Sequence, residues 1–254
     1  MSFRMHRLIA LASVLLAHCA APPPLPLAVL ENGASLTEDL ILLGEQHDAP
    51  LHQQWHAQTI AALAARGQLA AVALEMAEHG VSTAGLSQNA SDALVQAALR
   101  WNESAWPWSV YRDAIMAAVS AGLPVVGANL PRTGMRAAMA DEALDRLLPA
   151  PALQAQQQAI RAGHCNLLPE SQVGPMARIQ IARDRRMALT LTETVKKGKS
   201  VVLIAGGGHV DPDLGVPQHL PADTRVRAVV FPRQPTQTDY CALLKRQLAP
   251  ATTR

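Results

Sequence analysis

Four short apolar runs in this chain each end in residues able to do chemistry. Leu40-Ile41-Leu42-Leu43 runs into Gly44-Glu45-Gln46-His47, and Ala71-Val72-Ala73-Leu74 runs into Glu75. Pro124-Val125-Val126-Gly127 runs into Ala128-Asn129, and Val201 to Ala205 runs into Gly206-Gly207-Gly208-His209. In an open parallel α/β sheet, ligands bind outside the carboxyl ends of the strands. These run ends therefore point to one shared site assembled from distant pieces of the chain.

Glu45 and His47 flank a single residue, so extended backbone aims both the same way. A carboxylate beside an imidazole can serve as base and orienter, or ligate a metal. The plainer alternative is a loop whose Glu and His cap the next helix. Glu75 ends a run that reads as buried. A carboxylate there is costly unless paired, hydrogen-bonded or on a metal, and a salt bridge to an arginine such as Arg132 is the structural alternative. The glycines before His209 permit close backbone approach and can offer N–H groups to an anion. They match neither a Walker A loop nor G-x-G-x-x-G. His52 and His56 share an expected helix face at i, i+4. The H-E-x-x-H pattern is absent, and a solvated face is the plainer reading. A metal-centred scheme follows from these groups. His47, Glu75 and His209 hold a divalent ion, and Glu45 acts as base on bound water. No G-x-S-x-G nucleophile motif is present, which leaves water as the attacker.

A second set is softer. Gly163-His164-Cys165-Asn166, with Met176 nearby, offers ligand types suited to haem or transition metals. C-x-x-C-H is absent, so covalent c-type haem is not indicated. Tyr111 follows Trp106-Pro107-Trp108. A tyrosinate can be an axial haem ligand, and a core aromatic with a satisfied hydroxyl is the alternative.

The elements that must position these groups alternate along the chain. Strands are expected over about 39–43, 70–75, 124–128, 200–205 and 225–231. Helices are expected over about 50–66, 92–100, 109–121, 134–148, 151–162, 175–197 and 236–248. Short apolar runs without alternation suit strands buried on both faces. The fold class is therefore α/β, with a mostly parallel central sheet flanked by helices. The helix-rich segment 132–195 is expected as an insert that caps the strand C-terminal ends. Residues 37–254 read as one domain.

At 254 residues, with 49% hydrophobic and 17% charged residues, the chain is globular. Aromatics are only 3%, so the core must come from Ala, Leu, Val and Ile. The net charge of +2 includes Arg4 and Arg7 of an expected leader, and nothing in it suggests a nucleic-acid partner. Residues 1–19 read as an export signal, with a basic start and an apolar stretch from Leu8 to Ala17. Leu16-Ala17-His18-Cys19 is an imperfect lipobox, in which His18 stands where a small residue is preferred. Cys19 is thus the candidate lipidation site, and ordinary cleavage near Ala20-Ala21 is the alternative. Residues 20–36 form a Pro-rich spacer. Cys165 and Cys241 remain and could pair in an oxidising compartment.

Taken together, the pieces resemble the ChaN-like haem-binding family of bacterial surface lipoproteins. The resemblance rests on Leu42 to Asp48, Ala73 to Met76, Trp108 to Tyr111 and Gly127 to Arg132. It continues through Gln180 with Asp184 to Ala188, Ile204 to Val210 and Gly215 to Pro217. It implies an α/β domain with a helical cap, non-covalent haem binding, a homodimer with cofacial haems and a role in haem and iron acquisition. It also implies an outer-membrane lipoprotein held by Cys19, with an outer-membrane haem receptor as partner. The candidate cofactor-binding residues are Tyr111, His164, Met176, Asn129 and Arg132. The family's axial ligand is a tyrosine outside these motifs, with no assigned counterpart here. The wider superfamily includes Tiki-type metalloproteases and erythromycin-esterase-like hydrolases, with Glu and His at the same strand ends. The alternative function is thus a metal-dependent hydrolase using Glu45, His47, Glu75 and His209. A structural lipoprotein whose strand-end polar groups only stabilise loops is the third reading.

Overall fold

The computed structural model describes residues 37–236 and 238–248. The expected leader, Cys19 and the Pro-rich spacer lie outside the described residues. Five strands, β1 (Leu40–Glu45), β2 (Leu69–Glu78), β3 (Val125–Asn129), β4 (Ser200–Gly206) and β5 (Val226–Val230), form one sheet in the order β3-β2-β4-β1-β5. Every pairing is parallel. Parallel strands need long crossovers. Here α1 (Pro50–Ala65), α2 (Asp92–Ala98) and α3 (Trp108–Ser120) lie in the crossovers among the first three strands. Between β3 and β4 run α4 (Met135–Ala140), α5 (Ala150–Gly163) and α6 (Glu170–Thr194). The one-turn α7 (Gly207–Val210) follows β4, and α8 (Tyr240–Leu248) ends the described chain.

The two-residue period of the strands divides the core. Ile41 and Leu43 of β1 pack with Val72 and Leu74 of β2 beneath Trp55, Ile60 and Ile115 of α1 and α3. Leu40, Leu42, Ala71 and Ala73 face the other way, toward Met187 and Leu191 of α6. The same parity carries past the last apolar residue of each strand. Glu45 continues the Ile41–Leu43 series toward α1 and α3. Glu75 continues the Ala71–Ala73 series toward α6. The two acids thus sit at the ends of the two strands that flank β4, on opposite sides of the sheet.

The segment 132–195 is only partly a cap. The later turns of α6 form a layer of the sheet, and α5 with the start of α6 covers the strand ends. The expected helix over 134–148 is broken, because Asp141 leaves the helical conformation and caps a 3-10 turn over Glu142–Leu147. The helix expected from Pro175 begins at Glu170 and carries Pro175 within it. Pro169 serves as the N-cap, so the proline that looked like a start signal sits one turn inside. The expected glycine loop after β4 winds directly into α7.

Gly127 marks the closest backbone approach of the sheet. A Cβ there would stand 2.0 Å from the Glu78 carbonyl oxygen. Gly127→Ala is expected to push β3 from the β2 extension and to lower stability by about 3 kcal/mol. Urea unfolding of the variant measures this, and an unchanged midpoint would contradict it.

Candidate functional site

Glu45 is 4% exposed at the end of β1. Its Oε1 accepts hydrogen bonds from the Tyr111 hydroxyl at 2.6 Å and from His47 Nδ1 at 2.7 Å. Gln53 Nε2 donates to Oε2 at 3.2 Å, and His56 Nδ1 lies 3.2 Å from the same oxygen. Burial opposes the charge on Glu45, but the His47 bond, the two imidazoles and the Tyr111 hydroxyl outweigh it. Its pKa falls below the ordinary carboxylate value.

Glu75 is 3% exposed at the end of β2. Oε2 accepts the Gly206 N–H at 2.8 Å, and Oε1 lies 3.3 Å from His209 Nε2. The other ring nitrogen of His209 lies 2.6 Å from Asp184 Oδ1 of α6. His209 therefore has a carboxylate at each end of its ring. Burial opposes its charge, yet the fields of Glu75 and Asp184 prevail and raise its pKa to about 10. Glu75 in turn stays ionised against burial, with a pKa well below the usual value. Burial dominates at Asp184 and raises it to about 6 despite the His209 charge. At neutral pH the group is an imidazolium held between two carboxylates.

His47 joins the two faces. Nδ1 is on Glu45, and Nε2 lies 3.9 Å from Glu75 Oε2. Its ring meets Trp106 edge-on at 4.8 Å. Burial opposes protonation of His47, but Glu45 and Glu75 raise its pKa. A Cβ on Gly206 would stand 2.9 Å from His47 Nε2, so a larger residue there would displace the His47 ring.

A cleft of about 760 Å³ opens above this floor. Its base holds Glu45, His47, Asp184 and the Gly206–His209 turn. Trp106 forms one wall, Gln156, Ile160 and His164 of the cap another, and Tyr240 stands at the edge. On the other side of Trp106 lies a second cavity of about 740 Å³, bordered by Trp101, Asn129, Arg132 and Arg183.

The candidates from sequence separate on this map. Glu45, His47, Glu75 and His209 do converge, but as an ionic chain. His209 directs both ring nitrogens at carboxylates, Nδ1 at Asp184 and Nε2 at Glu75. Among the described residues, no group of three or more His, Cys, Asp or Glu is arranged to hold a metal. This arrangement replaces the expected His47–Glu75–His209 metal set. Tyr111 is 2% exposed and lies beneath the cleft, not in it. Burial and the adjacent Glu45 charge raise its pKa strongly, which opposes the phenolate that iron ligation needs. Its expected ligand role is thereby corrected to a buttress for Glu45.

Met176 packs in the cap against Ile160, Val173 and Ala177. Asn129 donates Nδ2 to the Glu75 carbonyl and accepts the Leu130 N–H, so both ends of its amide serve the β2–β3 junction. Arg132 is exposed beside the second cavity, and its backbone N–H meets Glu78; the Glu75 partner is His209 instead. His52 and His56 are fully buried, not solvated. His52 accepts the Gln46 N–H at Nδ1 and donates Nε2–H to the Pro232 carbonyl, as a neutral ring. Burial pushes His56 down to about 4. His164 alone of the expected haem ligands lines the cleft.

Sequence reasoning missed Asp184, Trp106 and Tyr240 as site residues. The signal for Tyr240 lay in the cysteines. Cys165 and Cys241 form a disulfide with Cα atoms 5.6 Å apart. Each is preceded by a cleft residue, His164 and Tyr240.

Residues 34–220 match the family described as haem-binding uptake, Tiki superfamily, ChaN. A solved structure titled "Cofacial heme binding to ChaN of Campylobacter jejuni" is similar in fold, with a TM-score of 0.61 and 24% identity. The match covers 74% of this chain and 79% of that one. No curated protein matches the chain.

The His209 charge carries a pH signature. Its folded pKa lies above the unfolded value, so its stabilisation is complete below about pH 6.5. That part is lost as pH rises through about 10. Chemical denaturation between pH 7 and 10 should show stability falling in wild type and a flatter profile in His209→Gln. Equal slopes would contradict the charged ring.

Proposed function

The chain belongs to the haem-binding uptake, Tiki superfamily, ChaN family, and on that premise we propose that it binds haem non-covalently for haem and iron acquisition. The observation that carries this reading is the cleft flanked by His164 and Tyr240. Haem brings an iron that takes axial nitrogen or oxygen donors. His164 is prepared as such a donor. Its Nδ1 lies 2.8 Å from the Ile160 carbonyl, and donating there leaves the Nε2 lone pair unused. Tyr240 is 54% exposed, and its hydroxyl donates to Asp48 Oδ2 at 2.9 Å. That bond raises the phenol pKa. It also gives the proton a nearby acceptor should the oxygen turn to iron. Trp106 and Ile160 supply apolar wall, and the volume lies in the range of small-molecule sites.

The acids of the floor are already paired with histidines, which favours iron ligation on the cap side. The cofacial arrangement named for the Campylobacter jejuni protein needs a second haem against the first. A homodimer meeting across the open side of the cleft would supply it. The export pattern and the Leu16-Ala17-His18-Cys19 motif support an outer-membrane lipoprotein anchored at Cys19 and serving an outer-membrane haem receptor. No helix of the described residues is long and apolar enough to cross a membrane.

Haemin titration followed at the Soret band tests the proposal. Wild type should saturate with a Kd of about 1 μM or tighter. His164→Ala and Tyr240→Phe should each weaken binding by about tenfold and shift the band. Tyr111→Phe should bind as wild type. Absence of saturable binding would overturn the reading, and loss of the band only in Tyr111→Phe would return the ligand role to that residue.

A further inference from the structure

The C-terminal helix α8 contributes a cleft residue, yet none of its residues is buried. A nine-residue helix without a buried face has little to hold it in place. Leu243 and Leu248 stand exposed on it. Its position is fixed instead at its first turn. Asp48 Oδ2 accepts both the Thr236 and the Tyr240 hydroxyls. The next residue, Cys241, is bonded to Cys165 of the cap.

The other end of that bond is equally placed. The chain leaves α5 at His164 and turns through Cys165 and Asn166, both with left-handed φ values of 56° and 55°. Such a conformation is uncommon for residues other than glycine. The disulfide therefore joins the turn that carries His164 to the helix start that carries Tyr240. One covalent bond sets the spacing of two cleft residues that are 76 positions apart in the chain.

We propose that Cys165 and Cys241 are positioning residues for haem capture: their disulfide sets the spacing of His164 and Tyr240 at one side of the cleft, and its reduction loosens that side and weakens binding. The inference rests on the haem reading of the cleft. Reduction by a dithiol breaks the sulfur–sulfur bond with two electrons and two protons. It leaves two thiols, and the donor becomes its own disulfide. Cys241 is exposed, so a reductant can reach the bond. Once the bond is open, the hydrogen bonds that Asp48 accepts from Thr236 and Tyr240, and those between Gln46 and Gln234, remain to tie the α8 start to the cleft, and the covalently pre-set geometry that favours binding is lost.

The test compares oxidised wild type with the Cys165→Ser/Cys241→Ser variant, which removes the bond without leaving a thiol to bind iron. Amide hydrogen exchange of both proteins without haem should show faster exchange over 240–248 in the variant and unchanged exchange in the five strands. Haemin titration should show about tenfold weaker binding by the variant. Wild type treated with a dithiol reductant should follow the variant in hydrogen exchange. Saturable haemin binding of equal affinity in oxidised wild type and variant would overturn the inference while leaving the haem reading intact. No binding by oxidised wild type would instead remove the haem reading and the inference with it. Faster exchange in the strands as well would show a general loss of fold and also count against a positioning role.

Discussion

Glu75 from β2 and Asp184 from α6 meet the ring nitrogens of His209 in a region closed to solvent. A lone buried carboxylate would cost several kcal/mol, and removing one partner of such a group typically costs about 3–5 kcal/mol. The arrangement avoids that cost by placing one positive ring between two negative ends. Much of the local architecture follows. β4 must stop at Gly206 so that its N–H reaches Glu75, and α7 must begin at once so that His209 turns inward. α6 must lie along the sheet so that Asp184 arrives beneath the ring. Gly215 passes so close that a Cβ there would stand 2.2 Å from the His209 carbonyl oxygen.

The same constraint divides the labour of the cleft. The strand ends form a floor whose acids already have partners. The cap and the C-terminal strap form the adaptable side, where His164 and Tyr240 are joined through a single disulfide. A floor of fixed charge and a mouth of donor side chains suit the capture of a cofactor that brings its own metal. They suit activation of water by a protein-bound ion less well, because the imidazole that would hold the ion is already doubly engaged.

The strand ends were legible because buried parallel strands read as uninterrupted apolar runs, so a polar residue at their end is conspicuous. Glu45, Glu75 and His209 could be placed together from that pattern alone. Their partners could not, because side-chain parity decides which face each acid joins, and the register appears only in the folded sheet. Asp184 stood among the residues of the family resemblance, but nothing in a long helix's sequence shows that its carboxylate turns to the strand ends. Tyr111 looked like a ligand because tyrosine is scarce here, but scarcity does not report direction, and its hydroxyl points at Glu45. The histidines of α1 looked solvated by spacing, yet they pack beneath Phe231, far along the chain. Tyr240 lay outside the motif set, and only the disulfide brings it to the cleft. The break at Asp141 and the early start of α6 were hidden by local caps that compete with periodicity.

Glu75 and Asp184 hold the His209 ring between them, and the haem site proposed above lies with the cap instead. Nitrogen-15 NMR of the His209 side chain at pH 7.5, with and without added zinc, tests this arrangement most directly. Protons on both ring nitrogens, unchanged on adding zinc, are expected if the ring is charged. A neutral ring, or one nitrogen turning to zinc, would rule that out and make the strand ends a metal centre.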